Sequence, residues 1–169
     1  GDKSQKGKGI DVMLDSTLFG QNVFVGYSVS ERPTGTGASA LQAETDHEEA
    51  VGGAIFNIGP VKLGAQATVE WLGNEQTATD VAGYRNVAYG VSFNVNDNLS
   101  LSFGKMESKK GFVSQNSATV VMEIESIQAA YTVGGLSFKV AKSEVDNGTY
   151  TAGTGSDKEA TTMAVTLAF

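Results

Sequence analysis

Apolar side chains alternate with small or polar ones along most of this chain. The clearest case is residues 60–72, where every second position from Val61 to Trp71 is apolar. The positions between them carry Lys62, Gly64, Gln66, Thr68 and Glu70. A two-residue period is typical of a β-strand whose two faces meet different surroundings, and a helical 3.6-residue period is almost absent. The pattern therefore predicts an all-β protein.

The alternation predicts nine strands. They lie in residues 9–17, 21–30, 47–58, 60–72, 85–95, 98–105, 119–133, 135–143 and 161–169. In residues 47–58 small side chains on both faces leave the register open, and in residues 119–133 a change of phase near Glu125 predicts a β-bulge. Most of these segments have the ~9–11 residues that a tilted strand needs to cross a bilayer, whereas soluble sandwiches use shorter strands.

The connections between these strands alternate between short and long. Short turns are expected in residues 19–22, 57–60, 94–98 and 132–135, and long polar segments in residues 32–46, 73–83, 107–117 and 146–158. Bacterial transmembrane barrels have short periplasmic turns and long external loops. If residue 169 ends at the periplasmic side, all four short turns fall on that side. The rhythm predicts an antiparallel transmembrane β-barrel, with residues 1–169 in one domain.

Aromatic residues gather near the predicted strand ends, as in the two belts that mark the membrane interfaces of barrels. Phe19 lies beside a short turn, and Tyr27 and Tyr84 lie toward long loops. The residues predicted to lie at the interfaces are Phe56, Trp71, Phe93, Tyr131, Phe138 and the terminal Phe169.

The polar phase of the strands supplies candidate pore-lining residues. They are Lys62, Gln66, Glu70, Asn86, Ser92, Ser100, Ser102 and Lys139. Polar side chains at the middle of a membrane strand need a wet lumen, although an ordinary solvent-facing sheet would carry the same pattern. Lys62, Glu70 and Lys139 would act on passing ions, and their mixed signs predict weak selectivity.

Composition excludes several other functions. The formal charge of -7 argues against a nucleic-acid partner, and the absence of cysteine excludes disulfides and thiolate metal sites. The acidic residues 43–49 are interpreted as a solvated loop rather than a site for divalent cations that bridge lipopolysaccharide, and His47 as a solvated loop histidine. Residues 34–39, TGTGAS, lack the lysine of a phosphate loop. No enzyme activity, metal or cofactor is expected.

The run MAVTLAF, ending on Phe169, resembles the C-terminal signature of Gram-negative outer-membrane β-barrels, which the barrel-assembly machinery reads. The hairpins VAYGVSFNVNDNLSLSFGK and SIQAAYTVGGLSFKVAKSEVDN resemble the C-terminal half of alphaproteobacterial general porins, a likeness that covers residues 10–169. The resemblance implies a 16-stranded, usually trimeric barrel in the outer membrane, surrounded by lipid and lipopolysaccharide. It also implies passive diffusion of small hydrophilic solutes and ions through a water-filled channel.

Nine is an odd number of strands, which favours a C-terminal fragment that holds strands eight to sixteen of such a porin. The constriction loop, which the family takes from its third external loop, would then belong to the other half. Two alternatives remain open. Residues 20–169 supply eight strands and could form a small barrel with a structural or adhesion role, and a soluble secreted β-sandwich could bind a ligand.

Overall fold

The computed structural model describes residues 9–30, 46–73, 78–114 and 119–168, which form one antiparallel sheet. Its nine strands are paired in the order of the sequence, from β1 to β9. They are β1 (Gly9–Leu18), β2 (Gln21–Ser30), β3 (His47–Ile58), β4 (Val61–Trp71), β5 (Val81–Asn94), β6 (Leu99–Phe112), β7 (Val121–Val133), β8 (Leu136–Asp146) and β9 (Lys158–Leu167). Two single 3-10 turns, Gly148–Tyr150 and Thr154–Ser156, lie between β8 and β9. The predicted all-β class and the nine strands are confirmed.

All four short turns lie at the same end of the sheet, as the sequence predicts. Three of them are two-residue connections, and Gly20, Gly59 and Gly134 adopt positive φ angles of 76°, 57° and 55° there. Glycine occupies this left-handed region without the steric cost that a Cβ atom brings. We call this end of the sheet the turn end, and the opposite end the loop end.

The strand boundaries differ from the sequence prediction at the loop end. β5 begins at Val81 and β6 continues to Phe112, so residues 107–112 are strand rather than loop. The bulge predicted near Glu125 is wrong, because β7 pairs with β6 and β8 in continuous register. Glu123 and Glu125 lie on the same face as Ile127. The side chains on that face change from apolar to charged, but the alternation of the two faces continues without interruption.

The two faces of the sheet are inverted relative to a soluble sheet. In β5 the apolar side chains of Val87, Tyr89, Val91 and Phe93 are exposed, whereas Asn86 and Ser92, on the other face, are half-buried. Within the described ranges no hydrophobic side chain is buried, and Ser108, 2% exposed, is the one buried polar residue. The described residues therefore form no hydrophobic core between layers. We refer to the side that carries Val91 as the apolar face and the side that carries Ser92 as the polar face.

The sheet is open over the described residues, because β1 pairs with β2 alone and β9 with β8 alone. β1 and β9 are exposed along almost their whole length.

Candidate functional site

The polar face brings together every residue that the sequence assigns to a pore lining. Residues paired across an antiparallel ladder project from the same face, so the register places each of them. Lys62 pairs with Ser92, and Ser92 with Ser102. The other members of the set, Gln66, Glu70, Asn86, Ser100 and Lys139, lie on this face through the same chain of pairings. Their common face is confirmed, and their role in a pore stays a prediction.

Hydrogen bonds link the polar face from strand to strand near the loop end. The Asn86 side-chain amide donates from Nδ2 to the Thr68 hydroxyl at 3.0 Å and accepts a hydrogen bond at Oδ1 from the Ser108 hydroxyl. Two cavities of about 470 and 450 Å³ open on this face. The face is thus recessed, and its half-buried polar groups are hydrogen-bonded to one another near the loop end.

The polar face also carries larger apolar side chains, which the sequence analysis did not single out as a group. They include Met13, Phe24, Ile55, Met106 and Ile124. Phe24 packs over its cross-strand partner Gly53, where an added Cβ atom would approach the phenyl ring to 2.5 Å. Most of these residues line the cavity of about 450 Å³. The middle of the face is therefore less polar than its two ends.

The segment between β8 and β9 folds over the polar face at the loop end. The Tyr150 hydroxyl lies 2.7 Å from Ser108 Oγ, and its ring centroid lies 5.7 Å from that of Tyr84. Lys110 Nζ lies 5.1 Å from the Tyr150 ring centroid, within cation–π range. The Asn147 side chain anchors the segment by donating to the Val121 carbonyl at 3.0 Å. The sequence offered no signal for Tyr150, since strand periodicity does not report how a loop folds.

An acidic cluster with one histidine lies on the same face. Glu49 and Glu70 are paired directly across β3 and β4, and His47 Nε2 lies 3.1 Å from Glu70 Oε1 and 3.6 Å from Glu49 Oε1. The prediction that His47 is a solvated loop residue is wrong, because His47 opens β3 and is half-buried. Glu44 of the acidic segment lies outside the described residues.

On β5 to β9 the apolar face is apolar toward the turn end and charged toward the loop end, whereas on β1, β2 and β4 it is apolar up to the loop end. On β6 to β9 the boundary is marked by ion pairs. Lys105 Nζ lies 2.7 Å from Glu123 and 2.9 Å from Glu125, and Lys142 Nζ lies 2.6 Å from Glu144. The predicted interface aromatics Phe56, Trp71, Phe93, Tyr131 and Phe138 all lie on this face, and Phe169 lies outside the described residues.

The apolar surface crosses the sheet diagonally, and we call it the apolar band. The row of paired residues that starts at Leu14, in the middle of the band on β1, reaches β8 at Asp146. On β8 the middle of the band is Phe138, about eight residues nearer the turn end. At ~3.3 Å per residue and ~4.8 Å between strands, the band is inclined by about 40° to the rows. In a transmembrane barrel the strands are tilted by about 35–45° from the barrel axis, and an apolar band perpendicular to that axis crosses the rows of paired residues at the same angle.

Comparisons with protein-family models, with curated proteins and with solved structures found no match to this chain. Among the residues that the structure describes, no helix has both the length and the apolar sequence that a membrane span needs.

Proposed function

We propose that this chain forms part of a transmembrane β-barrel in a bacterial outer membrane, and that its polar face lines a water-filled passage for small hydrophilic solutes and ions. Transport is passive diffusion, and the chain contributes size exclusion and a modest charge bias. No chemical step is involved.

The apolar band is the observation that carries the proposal. A soluble sheet would expel such a surface from water, since burying apolar area is worth about 25 cal/mol per Å². Here the exposed aliphatic and aromatic side chains form one continuous band, bounded at the loop end by Lys105, Lys142 and their glutamates. Hydrocarbon tails covering the band, with lipid headgroups at the charged boundary, would satisfy both parts of this face.

The recessed polar face supports a wet interior. Lys62 and Lys139 supply positive charge and Glu70 negative charge on that face. Rings of side-chain charge bias the ions that enter a pore, and opposite signs partly cancel. We therefore propose weak ion selectivity. Trimerisation and folding by the barrel-assembly machinery are part of the proposal through the porin resemblance.

Conductance in a planar lipid bilayer tests the proposal. The complete protein, reconstituted from detergent, is expected to give steady ohmic steps with weak selectivity in a salt gradient. A silent bilayer in which the protein is shown to be inserted would contradict the pore. A chain that remains monodisperse without detergent or lipid would contradict the membrane location as well.

The apolar side chains on the polar face favour a second candidate, a small barrel with a structural or adhesion role. Phe24, Ile55, Met106 and Ile124 would fill the interior of a narrow barrel and leave little room for water. Insertion without conductance would favour this candidate. The absence of cysteine permits a direct measurement, because single cysteines at Ser92 and Met106 report the access of a water-soluble thiol reagent without background.

A further inference from the structure

We infer that His47, Glu49 and Glu70 form a binding site for a divalent transition-metal ion, with Zn²⁺ as the best fit. The three residues lie at the loop end of β3 and β4 on the polar face. Their ligand atoms all lie within 4.8 Å of one another. The site does not depend on the proposed pore, because it needs only the β3–β4 ladder and water access.

The two distances from His47 to the carboxylates are close to those between ligand atoms around a small ion. A metal held tetrahedrally at ~2.0–2.1 Å from each ligand places the ligand atoms ~3.3–3.4 Å apart. His47 Nε2 lies 3.1 Å from one carboxylate oxygen and 3.6 Å from the other. One imidazole and two carboxylates are donors that zinc and its neighbours accept, whereas calcium requires six to eight oxygens.

The charges around the cluster supply a separate reason for a cation. Glu49 and Glu70 are direct cross-strand partners, and like charges in that position destabilise a sheet. The adjoining cavity of about 470 Å³ is lined by both glutamates and by Asp11, and no lysine or arginine lines it within the described part of the chain. Lys110, farther along the same row, points to the rings of Tyr150 and Phe112 instead.

The open side of the cluster leaves room to complete the coordination. The three residues occupy one side of the ion, and the cavity admits water or an anionic ligand on the other. The side chains of His47 and Glu70 are 29% and 35% exposed and that of Glu49 is 56% exposed, so the site is open to solvent on the Glu49 side. A metal bound in this way joins the start of β3 to the end of β4 and relieves the repulsion between the two glutamates.

Titration of the full chain in detergent micelles with Zn²⁺, after chelator treatment, tests the inference. One ion per chain is expected, and Co²⁺ should give the visible absorption of a site with nitrogen and oxygen ligands. His47→Gln and Glu70→Gln should each weaken binding at least about tenfold. Glu48→Gln is the matched control, since Glu48 lies one residue away on the opposite face, bonded to the Tyr27 hydroxyl at 2.8 Å.

Circular dichroism establishes that each variant keeps its sheet, and if His47→Gln does not fold, Glu70→Gln decides. No stoichiometric Zn²⁺ binding to the wild-type chain would overturn the inference. So would binding that survives both substitutions, or Ca²⁺ binding of equal strength that does not require His47.

Discussion

Lys139 and Lys142 lie three residues apart on β8 but face opposite sides of the sheet. Lys139 pairs with Ala130 and Ala164, whose small side chains leave its ammonium group room on the polar face. Lys142 lies on the apolar face, where it forms ion pairs with Glu144 at 2.6 Å and Glu159 at 3.3 Å. Reversing the charge at each of these two positions therefore tests which of the two faces contacts the permeating ions.

Lys139→Glu should shift the selectivity of the proposed pore toward cations by about twofold. Reversing one unit charge ~10 Å from an ion in water is worth roughly 0.8 kcal/mol before salt screening reduces it. The reversal potential in a salt gradient measures the change. Lys142→Glu carries the same charge reversal and should leave the potential unchanged. An equal shift in both variants would remove Lys139 from the passage.

Gly83 lies where the β5–β6 ladder is irregular. The register shifts between Val81 and Gly83, and an added Cβ atom at Gly83 would lie 2.0 Å from the Glu70 carbonyl oxygen. Gly83→Ala should lower the free energy of unfolding by about 1–3 kcal/mol, because the backbone at this contact must move.

Urea unfolding of the protein from lipid vesicles measures this loss. Gly104→Ala is the matched control, because the nearest atom to its new Cβ would be the Tyr89 carbonyl oxygen at 3.9 Å, an ordinary contact. Equal stability of the two variants would contradict the close approach at Gly83.

At the scale of the strands, alternation and the short turns were sufficient to predict the all-β class, the nine strands and their antiparallel order. The two-residue period placed residues such as Gln66 and Ser102 on the correct face, and glycine at three of the turns matched the positive φ angles. The sequence-based prediction was wrong where one face of a strand changes from apolar to charged along its length. Glu123 and Glu125 lie on the same face of β7 as Ile127. The change from apolar to acidic residues on that face therefore looked like the change of phase that a bulge produces.

The metal cluster shows what strand patterns cannot predict. His47 and Glu70 lie 23 positions apart in the sequence, and their contact depends on the β3–β4 register. The small residues on both faces of β3 left that register open. With the pairing of Glu49 to Glu70 unknown, His47 had no visible partner and the acidic segment resembled a loop.

The segment between β8 and β9 should narrow the proposed passage at the loop end. Tyr150 projects over the polar face, held by Ser108, Tyr84 and Lys110. Tyr150→Ala removes the ring and should raise single-channel conductance. Tyr150→Phe keeps the ring and loses only the hydroxyl contact, worth about 0.5–1.5 kcal/mol, so its conductance should remain near that of the wild type. Unchanged conductance in Tyr150→Ala would place the segment outside the passage.

At the scale of the whole molecule, the odd number of strands limits how the sheet can close into a barrel. Each strand is antiparallel to the next, so β1 and β9 run in the same direction. Direct closure between them would need a parallel pair, which bacterial single-chain barrels avoid by using even numbers of strands. Closure by an odd number of further strands between these two edges, as in a larger barrel, keeps every pair antiparallel. Closure of β2 on β9, with β1 displaced, would give the small barrel.

A lysine introduced at either of two adjacent positions tests which face of the sheet contacts lipid and which contacts water. Val91 lies in the apolar band on β5, and Ser92 lies beside it on the polar face. Val91→Lys should lower the free energy of unfolding from lipid vesicles by about 2–4 kcal/mol, the cost of a lysine facing the middle of a bilayer. Ser92→Lys introduces the same side chain into a recessed polar surface and should cost well under half as much. Equal costs, or a sheet that forms without lipid or detergent, would contradict a membrane around the apolar band.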